Sequence, residues 1–234
     1  ARAGDHVVAS RTLYGGTYTQ LAVTFAQFGI DATFVDSDDP GNFGPAIRPN
    51  TKALYVETIG NPQLNVADLA AIADIAHAAG VPLVVDNTLA SPFLCRPIEH
   101  GADIVVHSLT KWIGGHGTGI GGIVVDAGTF DWTDPKFTLY NEPDGSYHGL
   151  RYAHDLGEMN RIAFALRLRL VPLRNLGACI APDNAWLFLQ GLETLALRME
   201  RHSANGQAAA AYLQNHPAVA WVNYPGLPGS PGQA

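Results

Sequence analysis

Lys111 lies in the stretch HSLTKWIGGHGTGIGG, residues 107–122, preceded by Ser108 and Thr110 and followed by glycines. An amine in that setting has two readings. Either it is a solvated charge in a flexible loop, or the hydroxyls and backbone amides hold an anion while the amine reacts. Upstream, the apolar run PLVVD delivers Asp86. In an open parallel sheet, ligands bind beyond the carboxyl ends of the strands, so charged residues there face a crevice instead of the core. A carboxylate at one strand end, and a lysine with neighbouring hydroxyls at another, suit a ligand with a phosphate, a basic ring nitrogen and an aldehyde. Pyridoxal phosphate carries all three.

Each group has a physical task in that reading. A free lysine titrates about three units above neutrality, so a reactive Lys111 needs partial desolvation or a nearby cation. A carboxylate such as Asp86 keeps a ring nitrogen protonated, which lets the ring absorb carbanion charge. Ser108, Thr110 and nearby amides supply neutral donors to a phosphate. Tyr14, in LYGGT just after the first apolar run, is a flat partner beside two glycines that allow close backbone approach. Taken singly these residues are ordinary: a strand-end Asp caps turns, a lysine in a glycine-rich loop is usually solvated, and an aromatic after a strand is usually core. Their joint arrangement is what points to a site.

Rival chemistries fit poorly. Gly117, Gly119 and Gly122 match GxGxxG, but they precede a strand where a dinucleotide site requires a helix. Lys111 precedes the glycines, the wrong order for a nucleotide phosphate loop. His148 and His154 lack metal-ligand spacing with any nearby cysteine, so no metal is expected. Twenty-one acidic residues against fourteen basic ones give a formal charge of −7, with no basic cluster to neutralise a row of phosphates, so nucleic acid is not an expected partner. The longest apolar runs fall well short of the roughly 20 residues of a membrane span. Cys95 and Cys179 stand alone, without CxxC or an even framework. They suit a reducing cytoplasm and are expected as buried small hydrophobes.

The elements that must position these groups read as α/β. Apolar runs at 6–9, 32–35, 53–58, 82–87, 103–109 and 120–126 are mostly uniform, as strands buried on both faces are. VADLAAIADIAHAAG, residues 66–80, has helical periodicity, with Asn65 as the expected N-cap and Gly80 as its end. A helical stretch at about 17–28 separates the first two strands, so the crossovers are parallel and helices cover the sheet. Residues 128–157 hold aromatics, Pro and Gly without a sustained period, and read as a long ordered excursion packed by its aromatics, where function could reside. Beyond Glu158 helices dominate, with expected breaks at Pro172 and at 181–184 and an end before Pro217; 218–225, AVAWVNYP, reads as the first strand of another unit. The division expected is a large domain over 1–190 and, over 191–234, a linker helix with the beginning of a smaller α/β domain. The lack of an initiator Met and the Gly/Pro-rich close read as those of a piece of a longer protein.

SLTKWIGGHGT, with VVDNTLASPFLCRPIEHGADIVVHS before it, resembles the lysine region of the fold type I pyridoxal-phosphate enzymes of cysteine and methionine metabolism. LYGGTY, YVETIGNP at 55–62 and GLETLALRMERH at 191–202 match the same family, so the likeness runs from end to end. It implies an aspartate aminotransferase-like large domain with a mostly parallel sheet, and a cytoplasmic homotetramer of tight dimers. Carried over by position, Lys111 forms the covalent link to the cofactor and shuttles protons, Asp86 pairs with the pyridine nitrogen, and Tyr14 stacks on the ring. Ser108 and Thr110 bind the phosphate, Asn61 lies beside the phenolic oxygen or the substrate carboxylate, and Thr88 is a further candidate that could simply satisfy the turn.

The excursion, with EPDGSYHGLRY, most resembles O-acetylhomoserine sulfhydrylases. This implies replacement of the γ-acetate of O-acetylhomoserine by sulfide or a thiol, to give homocysteine or methionine. The alternatives are cystathionine synthesis, or lysis of cystathionine or methionine, on the same scaffold; a different class is a cofactor-free module that binds a phosphorylated metabolite or a partner protein. The family also implies phosphate-binding residues from a preceding segment, a Tyr and an Arg from a neighbouring subunit, and a carboxylate-binding Arg in the C-terminal domain.

Overall fold

The computed structural model describes residues 1–230. Six strands form one sheet: β1 (His6–Ser10), β2 (Asp31–Val35), β3 (Thr51–Glu57), β4 (Leu83–Asp86), β5 (Ile104–Ser108) and β6 (Gly122–Asp126), in the order β2-β1-β3-β4-β5-β6. The first five are parallel. Only β6 runs antiparallel, against β5. Between β5 and β6 lie only a short helical turn (Leu109–Ile113) and a glycine-rich loop, a connection that an antiparallel pair allows.

For β1, β3, β4 and β5 the uniform apolar runs are explained by burial on both sides, whereas β6, at the sheet's edge, departs from that expectation and leaves Ile123, Val124 and Val125 exposed. On one face Val8, Leu54, Val56, Leu83, Val85 and Val105 pack with Ile72 and Ala76 of α2 (Leu69–Ala78). On the other, Ile104 meets an aromatic cluster of Trp132, Phe137, Tyr140 and Tyr152, all from the 128–157 excursion. That excursion is held by its aromatics, as its composition predicts. Trp132 alone lies within ring-contact distance of Phe130, Phe137, Tyr140 and Phe164.

Between β1 and β2 the chain is helical throughout but changes pitch, from α1 (Gly15–Thr19) through a π turn (Gln20–Thr24) to a 3-10 turn (Ala26–Phe28). After the excursion come α3 (Ala163–Leu168), α4 (Pro182–Glu193) and the twenty-residue α5 (Leu195–Gln214). No helix among the described residues is long and apolar enough to cross a membrane, and no cluster of His, Cys, Asp or Glu there could hold a metal.

Four local expectations are corrected. α2 is capped by Asp68, whose side chain accepts from the Ala71 amide, while Asn65 instead donates its amide to Ser37 and Asp38. The helix does not break at Pro172; it widens into a π turn (Arg169–Leu173) and runs on to Gly177, whose φ of 72° ends it. The wider turn accommodates a ring that lacks an N–H and would clash with the carbonyl four residues back. Residues 218–225 form no strand, because an extended apolar segment needs a neighbouring strand and finds none among the described residues. Cys95 is half-buried and Cys179 exposed, neither a core residue. Residues 231–234, the end of the expected second unit, lie outside the described residues.

Candidate active site

Asp86 ends β4, and its register partner on β5 is Val106. Side chains alternate across a strand, so Asp86, Val106 and Ser108 project from the same face. Behind Asp86, the buried Asn87 is fixed on the opposite face by three hydrogen bonds. It accepts from the Thr58 hydroxyl (2.8 Å) and donates to the carbonyls of Ser91 (3.1 Å) and Cys95 (2.8 Å). The end of β4 therefore cannot rotate freely.

Thr88 is the link between the two strand ends. Its amide (2.9 Å) and its hydroxyl (2.5 Å) both donate to Asp86 Oδ1, and the same hydroxyl oxygen accepts the Ser108 amide at 2.8 Å. It satisfies its turn and also ties the Asp86 carboxylate to the backbone three residues before Lys111. Asp86 Oδ2 has one weak contact, from the Tyr55 hydroxyl at 3.4 Å, so this oxygen is open to a further donor.

Lys111 sits in a short π-helical turn, Leu109–Ile113, that is interrupted at the lysine itself (φ −90°, ψ −124°). The turn is closed by bonds from the Gly114 amide to the Leu109 carbonyl and from the Gly115 amide to the Lys111 carbonyl, each 2.8 Å. Arg198 of α5 clamps it, donating to the carbonyls of Trp112 (2.7 Å), Ile113 (3.3 Å) and Gly191 (2.6 Å). Gly191 is required here, because a Cβ at that position would run into the Ile113 and Gly114 carbonyls. This accounts physically for two residues of the GLETLALRMERH motif. The Lys111 side chain is exposed, and among the described residues its amine makes no hydrogen bond or ion pair. The desolvation expected around it is therefore not supplied by these residues.

The two hydroxyls beside the lysine differ. Ser108 has no side-chain hydrogen bond among the described residues, whereas the Thr110 hydroxyl is engaged with Gly121, accepting its amide (3.1 Å) and donating to its carbonyl (3.3 Å). As arranged, Ser108 is free to meet an anion and Thr110 organises the glycine loop.

Tyr14 precedes α1 and is 55% exposed, so one ring face is open. The other side lies against the backbone of Gly16, where a Cβ would come within 2.6 Å of Tyr14 Cε1. Asn61 lies on the adjoining loop after β3; its amide donates to the Thr12 carbonyl at 3.4 Å, two residues before Tyr14, and its side chain has no partner among the described residues. The strand ends thus gather Tyr14, Asn61, Asp86, Thr88, Ser108 and Lys111 along one edge of the sheet.

One residue that the motif reading passes over joins them. Glu57 ends β3, is only 7% exposed, and is the register partner of Asp86. Its Oε1 accepts the Tyr14 amide at 2.6 Å. Burial, with a smaller contribution from the neighbouring Asp86, pushes its carboxyl up to about 7. The signal was in the sequence, since the strand-end rule that selects Asp86 selects Glu57 equally. Tyr55 completes the group. Its hydroxyl bonds with Thr17 of α1 as well as Asp86, and burial drives it far above the usual phenol range.

A cavity of about 490 Å³ lies under the same face, between the sheet, α1 and the aromatic excursion. It reaches Asp86 and Tyr55 but not Tyr14, Glu57, Asn61, Thr88, Ser108 or Lys111.

The family model for Cys/Met metabolism PLP-dependent enzymes matches residues 1–234. An O-acetyl-L-homoserine sulfhydrylase of Leptospira meyeri is 54% identical over 96% of this chain and 52% of its own length. A homocysteine synthase of Schizosaccharomyces pombe is 53% identical over 97% of this chain and 53% of its own. A solved structure from Campylobacter jejuni, which carries N'-pyridoxyl-lysine-5'-monophosphate, superposes with a TM-score of 0.92 at 41% identity, over 98% of this chain and 57% of that one. The chain spans about half the length of the curated relatives it matches. By the extent of the family match and the level of identity, the chain belongs to the Cys/Met metabolism PLP-dependent enzymes.

Proposed function

We propose that this chain is the lysine-bearing part of a pyridoxal-phosphate enzyme that exchanges the acetate of O-acetylhomoserine for sulfide or a thiol. The observation that carries the reading is the Thr88 bridge, which holds the Asp86 carboxylate and the Ser108 amide together beside Lys111. The cofactor fits the groups available. Asp86 Oδ2 can accept a ring N–H, Tyr14 offers an open ring face, Ser108 has a free hydroxyl for the phosphate, and the Lys111 amine is uncommitted. Asn61, with a free side-chain amide, is placed for an oxygen of the ring or the substrate. Thr88 acts through Asp86 and Thr110 through Gly121.

When bound, the cofactor supplies an electron sink for carbanion charge at the substrate's α-carbon. The chain's own groups do the rest. The Lys111 amine takes the α-proton and then carries a β-proton, serving as base and acid in turn. Acetate leaves the γ-carbon and sulfide adds there, so O-acetylhomoserine and hydrogen sulfide become homocysteine and acetate. Asp86 Oδ2 would accept the ring N–H, and Tyr14 limits the ring's tilt.

The relatives' activity supports this reading, as does the ordered excursion with EPDGSYHGLRY. Exposed apolar side chains on α4 and α5, among them Trp186, Leu189 and Leu197, support subunit contacts of the homotetramer we infer for the full-length protein. The two unpaired cysteines support a cytoplasmic location. The domain division at about residue 190 is part of the same proposal.

The test uses full-length protein with pyridoxal phosphate. Visible absorption bleached by borohydride, with the reduced adduct mapped to the Lys111 peptide, is expected, and a colourless, inert protein refutes the reading. Lys111→Ala should fold normally and lose turnover; wild-type rates there end the assignment of the proton shuttle. Homocysteine from O-acetylhomoserine plus sulfide supports the substrate, whereas turnover of methionine or cystathionine alone reassigns it to a lyase.

A further inference from the structure

We infer that Glu57 is a positioning residue of this site, fixing Tyr14 over the cofactor ring by accepting its backbone N–H. The inference rests on the cofactor reading above and deepens it.

A carboxyl on the last residue of a parallel strand, 7% exposed and in register with a second carboxylate, carries a desolvation cost that an apolar side chain would avoid. Its side chain makes one hydrogen bond among the described residues, a short one to the Tyr14 amide. Tyr14 needs such an anchor. It lies before α1 with non-helical dihedrals (φ −48°, ψ 132°), no side-chain cap holds that helix start, and the residue is more than half exposed. Two contacts set its pose. Gly16 leaves room on the inner side of the ring, and Glu57 pins the backbone from which the ring projects. The reach is the decisive variable, because the bond spans from β3 to a loop 43 positions earlier in the chain.

Two conservative variants of the full-length enzyme separate reach from charge. Glu57→Gln keeps the length and the acceptor oxygen and removes the charge. Glu57→Asp keeps the charge but withdraws the oxygen by about 1.5 Å. Three quantities are read: the dissociation constant for pyridoxal phosphate, the visible circular dichroism of the bound ring, and amide hydrogen exchange at Tyr14. Positioning predicts near-wild-type values for Glu57→Gln. For Glu57→Asp it predicts binding weakened on the order of tenfold or more, altered ring dichroism and a deprotected Tyr14 amide, as expected when a backbone N–H loses its acceptor. The reverse order, with Glu57→Asp normal and Glu57→Gln impaired, overturns positioning in favour of charge; equal, wild-type behaviour of both also overturns it. A wild-type protein that takes up no cofactor sinks the function proposal instead, and that outcome is visible before either variant is compared.

Discussion

Glu57 makes a measurable claim about stability. Its carboxyl lies at about 7 in the folded protein against 4.5 as the ordinary value, because burial penalises its charge and Asp86 adds to that penalty. The folded state therefore holds the proton more tightly than the unfolded state. Below pH 4.5 both states are protonated and there is no penalty. Between 4.5 and 7 the unfolded chain ionises while the folded one resists, so stability falls as pH rises; above 7 the loss is complete. About 2.5 pH units at roughly 1.4 kcal/mol each gives a full penalty of roughly 3 to 4 kcal/mol. Glu57→Gln removes the charge while keeping an acceptor for the Tyr14 amide, so the variant should match wild type near pH 4 and exceed it by roughly 3 to 4 kcal/mol at pH 8. The assay is urea unfolding of ligand-free full-length protein across this range, comparing midpoints at constant slope. The carboxyl C=O infrared band lost near pH 7 in wild type, and absent from the variant, gives an independent reading. A stability difference that stays constant from pH 4.5 to 8 would refute the argument.

Other expectations follow from single contacts. Gly16→Ala should push the Tyr14 ring off its seat, since the added Cβ falls within 2.6 Å of Cε1; altered dichroism of the bound cofactor without loss of fold is the check. Thr88→Val removes one donor to Asp86 and the acceptor for the Ser108 amide, and should weaken cofactor binding by about tenfold, measured by titration. Arg198→Lys keeps the charge but loses the fork that reaches three carbonyls, so amide exchange in 111–115 should accelerate by at least about tenfold.

The sheet was legible because its physics is local. Runs such as LVV and IVV are uniformly apolar since both faces are covered, and every strand lies within two residues of its expected bounds. The elements that were misread depend on partners distant in sequence. Asn65 is as good a cap as Asp68 by residue type, yet its side chain is turned toward Ser37 and Asp38, to which its amide donates, and a local window does not see those partners. AVAWVNYP has strand composition, but composition supplies no neighbouring strand. At the site, Lys111, Asp86 and Tyr14 were visible as residue types at strand ends. The linking role of Thr88 and the anchoring role of Glu57 were not, because each exists only once strands from different parts of the chain lie side by side.

The site's electrostatics follow from how donors are shared between two adjacent carboxylates. Glu57 and Asp86 project from neighbouring strands in the same register, and two bare negative charges there would repel in a medium that screens them poorly. The fold does not treat them alike. Asp86 receives the Thr88 amide and hydroxyl on one oxygen and the weaker Tyr55 hydroxyl on the other, whereas Glu57 receives only the Tyr14 amide. With fewer donors and deeper burial, Glu57 is the member driven toward its neutral form. The asymmetry divides the labour: the residue with the surplus of donors faces the position where a cationic ring nitrogen would sit, and the one driven neutral holds backbone. Two hydroxyls and an amide, placed on one carboxylate and withheld from the other, give the same chemical group two different tasks at adjacent strand ends.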